Sequence, residues 1–289
     1  MFEGIIIKGV AGQYTVDTPQ GQYVCSARGL FRKQKITPVV GDRVKINGST
    51  LSEILPRRNE LQRPRIANVD QVMVVLSIVQ PAFDFTMLDR YLIHAEHEGI
   101  DAVICINKMD LVDADIDILK KVHDIYTQAG YSVFTASANT YEGIETIKNI
   151  LYGKITVLAG PSGVGKSSII NSLDLEAKVA TGAVSEKIGR GKHTTRHAEF
   201  IPILPKPEFS EFEYLPGYVI DTPGFSSLDL PNVELTERAV LFREFHPMLG
   251  QCKFRDCLHR SEKDCAVKDQ VGISINPQRY ACYIDWIAN

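Results

Sequence analysis

Gly160, Pro161, Ser162, Gly163, Val164, Gly165, Lys166 and Ser167 read GPSGVGKS, which fits the phosphate-cradling spacing G-x-x-x-x-G-K-[ST]. The segment sits between an apolar run, KITVLAG, and a helical pattern opening at Ser167 and Ser168, the setting this motif needs. Glycines there let backbone N–H groups converge on phosphate oxygens at a helix N-terminus. Lys166 would reach the β and γ phosphates, and Ser167 would ligate Mg²⁺. A Gly-rich turn without a ligand is the bland alternative, and the strand-loop-helix context argues against it. The motif alone does not name the base, and guanylate-kinase loops also read GPSG.

Two further motifs separate the rivals. Asn107, Lys108, Met109 and Asp110 read NKMD after the apolar run AVICI and fit N-K-x-D. The Asp110 carboxylate can accept from both N1–H and N2–H of guanine, whereas adenine offers an acceptor at N1 and no N2 amine. In TASA, Ser137 and Ala138 end another apolar run, and the Ala138 N–H can meet guanine O6. DTPG, Asp221 to Gly224, follows the run YVI; there Asp221 would hold Mg²⁺ through water and Gly224 would donate to a γ-phosphate. Each is a common loop sequence on its own. Together with the P-loop they point to guanine-nucleotide hydrolysis, since a nucleoside monophosphate kinase has no need of NKMD and DTPG, and a guanylate-kinase-like enzyme is the less favoured alternative.

Between the P-loop and DTPG lies GRGKHTT, glycine-rich and basic, with Thr194 or Thr195 as the Mg²⁺ ligand and His193 as a group that could position water or be an exposed loop histidine. Phe225 stands where many GTPases carry a water-orienting Gln, so unaided hydrolysis should be slow. Near the C-terminus Cys252, Cys257, His259 and Cys265 are spaced C-x4-C-x-H-x5-C. Three thiolates and an imidazole form a closed structural zinc set with no open position for catalysis. Lys253, Arg255, Arg260 and Lys263 surround its net negative charge; reduced cysteines in a helical region are the alternative.

The elements that must position these groups fall into three stretches of the 289-residue chain. Residues 1–64 read as five short strands, with TPQG as a hairpin turn, and suggest a small barrel. Residues 65–228 alternate apolar runs with helical periodicity, the pattern of a mostly parallel buried sheet. There Leu88, Tyr91, Leu92 and Ala95 mark a helix stopped by Gly99, and a second helix runs over 114–129. Residues 229–289 carry a helical stretch over 234–245, the Cys/His set, and a last helix from Pro277.

Net charge is −3 overall, but residues 1–65 hold eleven Lys/Arg against five acids, a net +6 that leaves −9 for the rest. Arg32, Lys33, Lys35, Arg43, Arg57 and Arg58, with Tyr14, Tyr23 and Phe31 as stacking groups, suit a barrel that binds nucleic acid. A basic solvated face is the plainer reading. No apolar run approaches the roughly 20 residues of a membrane span, and no export signal is evident, so a cytoplasmic protein is expected.

The order of the motifs is the unusual feature: NKMD and TASA precede the P-loop, and DTPG comes last. With VGDRV (Val40 to Val44) in the barrel and CKFRDCLH (Cys252 to His259) near the end, the whole chain resembles the ribosome small subunit-dependent GTPase A family, also called YjeQ or YloQ. The resemblance implies an OB-fold barrel, a circularly permuted G domain and a zinc domain. It also implies Mg²⁺-dependent GTP hydrolysis stimulated by the small (30S) ribosomal subunit, binding to its 16S rRNA, and a role in late subunit maturation. A monomer with one structural Zn²⁺ is expected. A GTP-gated RNA-binding protein, with slow hydrolysis as an off-switch, is the alternative from a different class.

Overall fold

The computed structural model describes residues 1–27, 29, 31, 36–62, 64–112, 116–181, 200–203, 216–221 and 229–288, with the backbone alone described at 116, 174–181 and 221. The chain forms two compact units. One holds residues 1–71, 144–159 and 166–225; the other holds 72–143, 160–165 and 226–289.

The first unit begins with a closed barrel of β1 (Phe2–Val10), β2 (Gln13–Thr18), β3 (Gly21–Ala27), β4 (Arg43–Asn47) and β5 (Thr50–Ile54), in the order β1-β2-β3-β5-β4. Ile6, Val16, Cys25, Val44, Ile46 and Leu51 fill it without solvent exposure. Phe31 joins this core and is buried, so it is not available as a stacking group. Ala11 and Gly12 both have positive φ, as a two-residue type I′ hairpin turn requires.

VGDRV is structural. Gly41 has φ +90°, and a Cβ there would lie 2.0 Å from the Ala67 carbonyl oxygen. The fully buried Asp42 carboxylate accepts from the Val39 N–H (2.8 Å) and from Arg57 Nε (2.6 Å) and Nη2 (2.9 Å). Behind it lies a short hairpin, β6 (Glu60–Gln62) with β7 (Arg65–Ala67), which sequence patterning did not reveal. Residues 64 and 65 fall within that hairpin.

β11 (Ile155–Ala159), β13 (Gly217–Asp221) and β12 (Ile201–Ile203) lie side by side, β11 parallel to β13. Among the described residues this unit also carries α3 (Ile144–Leu151) and α4 (Lys166–Thr181). Polar contacts fasten the barrel to these strands. Tyr218 Oη donates to Asp17 (2.8 Å), the Phe200 N–H donates to the Ile7 carbonyl (2.9 Å), and the Ile155 N–H donates to Asp70 (2.8 Å).

The second unit holds β8 (Gln71–Ser77), β9 (Asp101–Asn107) and β10 (Ser132–Thr135) in the order β10-β9-β8, with β10 parallel to β9. Every residue of β8 is buried, as a strand covered on both faces should be. α1 (Phe85–His97) starts where Asp84 caps the Thr86 and Met87 N–H groups, and it buries Leu88, Tyr91, Leu92 and Ala95 as its periodicity predicts. α2 spans Ile116–Gln128. The stretch expected to be one helix over 234–245 is instead two 3₁₀ segments, Leu235–Leu241 and Arg243–Met248, with Pro247 inside the second. α5 (Ala266–Asp269) and α6 (Pro277–Ala288) complete the unit. No described helix is long and apolar enough to cross a membrane.

Arg279 of α6 is completely buried. Its Nη1 donates to Asp89 of α1 (2.6 Å), and its Nε donates to Glu244 (2.7 Å). Tyr126 of α2 donates to the same Asp89 oxygen (2.8 Å), and the Phe242 ring lies 4.9 Å from the guanidinium carbon. Burial opposes the Arg279 charge, but the two carboxylates outweigh it and raise the pKa well above the ordinary value. Removing one partner of such a cluster strands buried charge. Arg279→Met should therefore destabilise this unit by about 3–5 kcal/mol. Trp286, the only tryptophan, is 5% exposed beside this cluster, so its fluorescence in a urea titration reads the loss directly.

Candidate nucleotide site and metal centre

Asn107 ends β9 and is 1% exposed. Its Nδ2 donates to the Val164 carbonyl of the P-loop (2.9 Å), and its Oδ1 accepts from the Ala138 N–H (3.2 Å). One side-chain amide thus brings three sequence-distant loops together. Gly165, at φ +97°, leaves room for it, since a Cβ there would sit 2.4 Å from that Nδ2. Lys108 has φ +65°, and its Nζ donates to the Gln80 carbonyl (2.9 Å). Its Cε lies 3.9 Å from where a Gly165 Cβ would be, so the side chain runs along the P-loop.

The exposed Asp110 carboxylate is pre-aimed. Oδ1 accepts from Ser137 Oγ (2.6 Å) and Oδ2 from Asn139 Nδ2 (3.1 Å). Those bonds, Ser137's first, hold its pKa below the usual carboxylate value and keep it ionised at neutral pH. Each oxygen retains a lone pair for an incoming donor. Ser137 is fully buried, and the Met109 N–H pairs with the Ala136 carbonyl (3.1 Å). Asn139 was not singled out from sequence; only its place directly after Ala138 hinted at it.

In the P-loop Gly160 and Val164 are buried, Pro161 and Gly165 are half-buried, and Ser162 and Gly163 are exposed. Lys166 opens α4, half-buried, with Ser167 and Ser168 exposed after it. The backbone of Asp221 ends β13 in register with Leu158, at the carboxyl ends of parallel strands where ligands of α/β sheets bind. His193, Thr194, Thr195, Gly224 and Phe225 lie outside the described residues.

Cys252, Cys257, His259 and Cys265 converge, with their donor atoms all within 4.8 Å of one another. Cys252 Sγ is 3.5 Å from His259 Nδ1 and 3.9 Å from Cys265 Sγ, and His259 Nδ1 is 3.4 Å from Cys265 Sγ. A tetrahedral ion with bonds of about 2.0–2.3 Å needs donors roughly 3.5–3.8 Å apart, so the set fits Zn²⁺. All six cysteines are free. Burial pushes the Cys257 thiol up to about 12, and a bound cation is what would keep such a sulfur deprotonated at neutral pH. Tyr280 and Tyr283 of α6 hold the ligand loop by donating to the His259 (2.7 Å) and Leu258 (2.8 Å) carbonyls. Glu262 accepts from the N–H groups of Leu258, Arg260 and Ser261.

Two family models match: RsgA N-terminal domain over residues 3–53 and RsgA GTPase over residues 54–231. A small ribosomal subunit biogenesis GTPase RsgA from Alkaliphilus metalliredigens is 43% identical over 99% of this chain and 97% of its own length. A protein of the same name from Bacillus cereus is also 43% identical, with the same coverage. Among solved structures, YjeQ from Thermotoga maritima superposes with a TM-score of 0.82 at 34% identity, covering 99% of this chain and 97% of its own. YloQ, described as a circularly permuted GTPase, gives 0.81 at 36% identity, covering 100% and 94%. With the motif order of a permuted G domain, a barrel ahead of it and relatives matched end to end, this chain belongs to the RsgA GTPase family.

Proposed function

We propose that the chain hydrolyses GTP on the small (30S) ribosomal subunit, binds the 16S rRNA there, and acts late in subunit maturation. The observation that supports the guanine half of this reading is the Asn107 junction, whose amide bonds the Val164 carbonyl of the P-loop and the Ala138 N–H, with Asp110 held by Ser137 of the same loop as Ala138. The ribosomal half rests on relatives named small ribosomal subunit biogenesis GTPase that match nearly the whole chain.

In this reading Asp110 reads guanine N1–H and N2–H, the Ala138 N–H turns from Asn107 Oδ1 to guanine O6, and Lys108 lies along the P-loop beneath the nucleotide. Gly160 to Gly165 and Lys166 hold the phosphates. Ser167, one switch threonine (Thr194 or Thr195) and Asp221 hold Mg²⁺, which supplies charge neutralisation at the phosphates. Gly224 donates to the γ-phosphate. Because Phe225 cannot orient water, stimulation has to come from His193 or from a group on the subunit. Residues 1–64 serve as the RNA-binding barrel, 65–228 as the G domain, and 229–289 as the module stabilised by one Zn²⁺ on Cys252, Cys257, His259 and Cys265. The protein works in the cytoplasm as a monomer.

GTP turnover measured with and without purified small subunits tests the reading: a rise of at least about tenfold is expected, and identical rates refute it. Asp110→Asn should weaken GTP binding and favour xanthosine triphosphate, whose N1 and C2 groups the amide complements. Competition binding with the two nucleotides measures this, and an unchanged preference removes NKMD from the site. Cys257→Ala, or treatment with a strong chelator, should release one zinc ion per chain and loosen the α5–α6 region. Elemental analysis and limited proteolysis follow both effects, and GTP affinity should stay largely intact.

A further inference from the structure

The barrel carries a cavity of about 330 Å³ between the tip of the β1–β2 hairpin and the β6–β7 hairpin. That volume is at the lower end of pockets that enclose a small ligand. Pro38, Val39 and Val40, all buried, form its floor, and Tyr14, Pro64 and Arg65 line it as well.

Hydrogen bonds within the protein brace the cavity floor. The Val39 N–H is bonded to Asp42 (2.8 Å), the Thr37 carbonyl accepts from Arg57 Nη2 (2.8 Å), and the Val40 carbonyl accepts from the Ala67 N–H (2.9 Å). These three peptide groups are therefore engaged within the protein. Pro38 and Pro64 have no N–H to offer. Tyr14 lies opposite Gly9 across the β1–β2 ladder, and a Cβ at Gly9 would come within 3.3 and 3.4 Å of the ring's Cδ1 and Cε1. The ring thus rests closely over Gly9 and packs on the barrel core. Arg65 donates Nε to Glu60 (2.8 Å), which sets the plane of the guanidinium and leaves Nη1 for another acceptor; its side chain is 46% exposed.

One tyrosine ring, two prolines, an apolar floor, a guanidinium held by Glu60 and a net charge of +6 over residues 1–65 suit a ligand that is planar, apolar-faced and attached to phosphate. We infer that this cavity takes one unpaired base of single-stranded RNA, stacked on Tyr14 and the prolines, with the adjoining phosphate on Arg65. The inference rests on the reading that the barrel binds rRNA, and it adds the place and the mode: a splayed base, accepted with little regard to its identity.

The test uses the full-length protein and a short fluorescein-labelled oligouridylate, followed by anisotropy. Tyr14→Ala should weaken binding roughly tenfold or more, while Tyr14→Phe, which keeps the stacking face, should stay within about twofold. Ala11→Asp guards against a misfolded Tyr14→Ala. Ala11 is exposed at the cavity mouth with φ +50°, a conformation Asp tolerates, so its carboxylate should repel the RNA without shifting the melting temperature. Parent-like affinity in both Tyr14→Ala and Ala11→Asp, or equal competition by a duplex of the same length, overturns the inference. Parallel measurement of subunit-stimulated GTP turnover in the parent keeps the two readings apart. If subunits stimulate while the oligonucleotide ignores both variants, only the pocket fails; if subunits never stimulate, the ribosomal reading fails.

Discussion

The buried carboxamide of Asn107 is the constraint on which the candidate nucleotide site depends. It donates to one loop and accepts from another, and the two loops lie 31 and 57 residues away in sequence. Neither bond is unusual in strength, for a neutral hydrogen bond contributes only about 1 kcal/mol net. The leverage comes from burial. At 1% exposure an unpaired amide would carry its full desolvation cost, so the P-loop and the Ala138 loop are both held to the position that satisfies it. Gly165 follows from the same constraint, because any side chain there would push the amide away.

The barrel uses a buried charge for a comparable purpose. Asp42 has no solvent exposure and is satisfied by Arg57 and the Val39 N–H, while Arg57 also pairs with Glu60, which in turn holds Arg65. Such a chain of ion pairs is weak evidence for stability, since desolvation offsets most of the attraction. Its effect is geometric. It sets the β6–β7 hairpin against the loop carrying Gly41, and the cavity floor is the product of that register.

Sequence legibility divided along the same physical line. GPSGVGKS, NKMD and the C-x4-C-x-H-x5-C set stand out as patterns because residue type and spacing are local, and the structure joins Asn107 to the P-loop and brings the four Cys/His donors within 4.8 Å of one another. The α1 periodicity was legible for the same reason. What escaped was set by partners distant in sequence. Arg279 looks like any surface arginine of an amphipathic helix until Asp89 and Glu244, 190 and 35 residues away, are placed beside it. Phe31 sits in a basic stretch yet fills the barrel core. The 234–245 stretch has helical composition, but its segments wind as 3₁₀ turns around a packed Phe242–Phe245 pair with ring centroids 5.1 Å apart.

α1 packs on β9 of the second unit's sheet and also ties together distant parts of that unit. Its Asp89 reaches Arg279 of α6, its Tyr91 hydroxyl accepts a backbone hydrogen bond from Gly160 at the start of the P-loop, and its His94 donates to the backbone of Asp229. Burial, outweighing the Asp229 contact, lowers the His94 pKa, so this helix face is neutral and packed rather than solvated. Two turns of one helix thus touch the P-loop, the segment that follows DTPG, and the helix bearing the tyrosines that hold the Cys/His loop. Close-packed side chains do not deform continuously, so a shift at any of these contacts is felt at the others. Coupling carried this way has to be reciprocal. Whatever free energy a nucleotide contributes to the arrangement of the C-terminal region, a partner bound to that region returns to the nucleotide in equal measure.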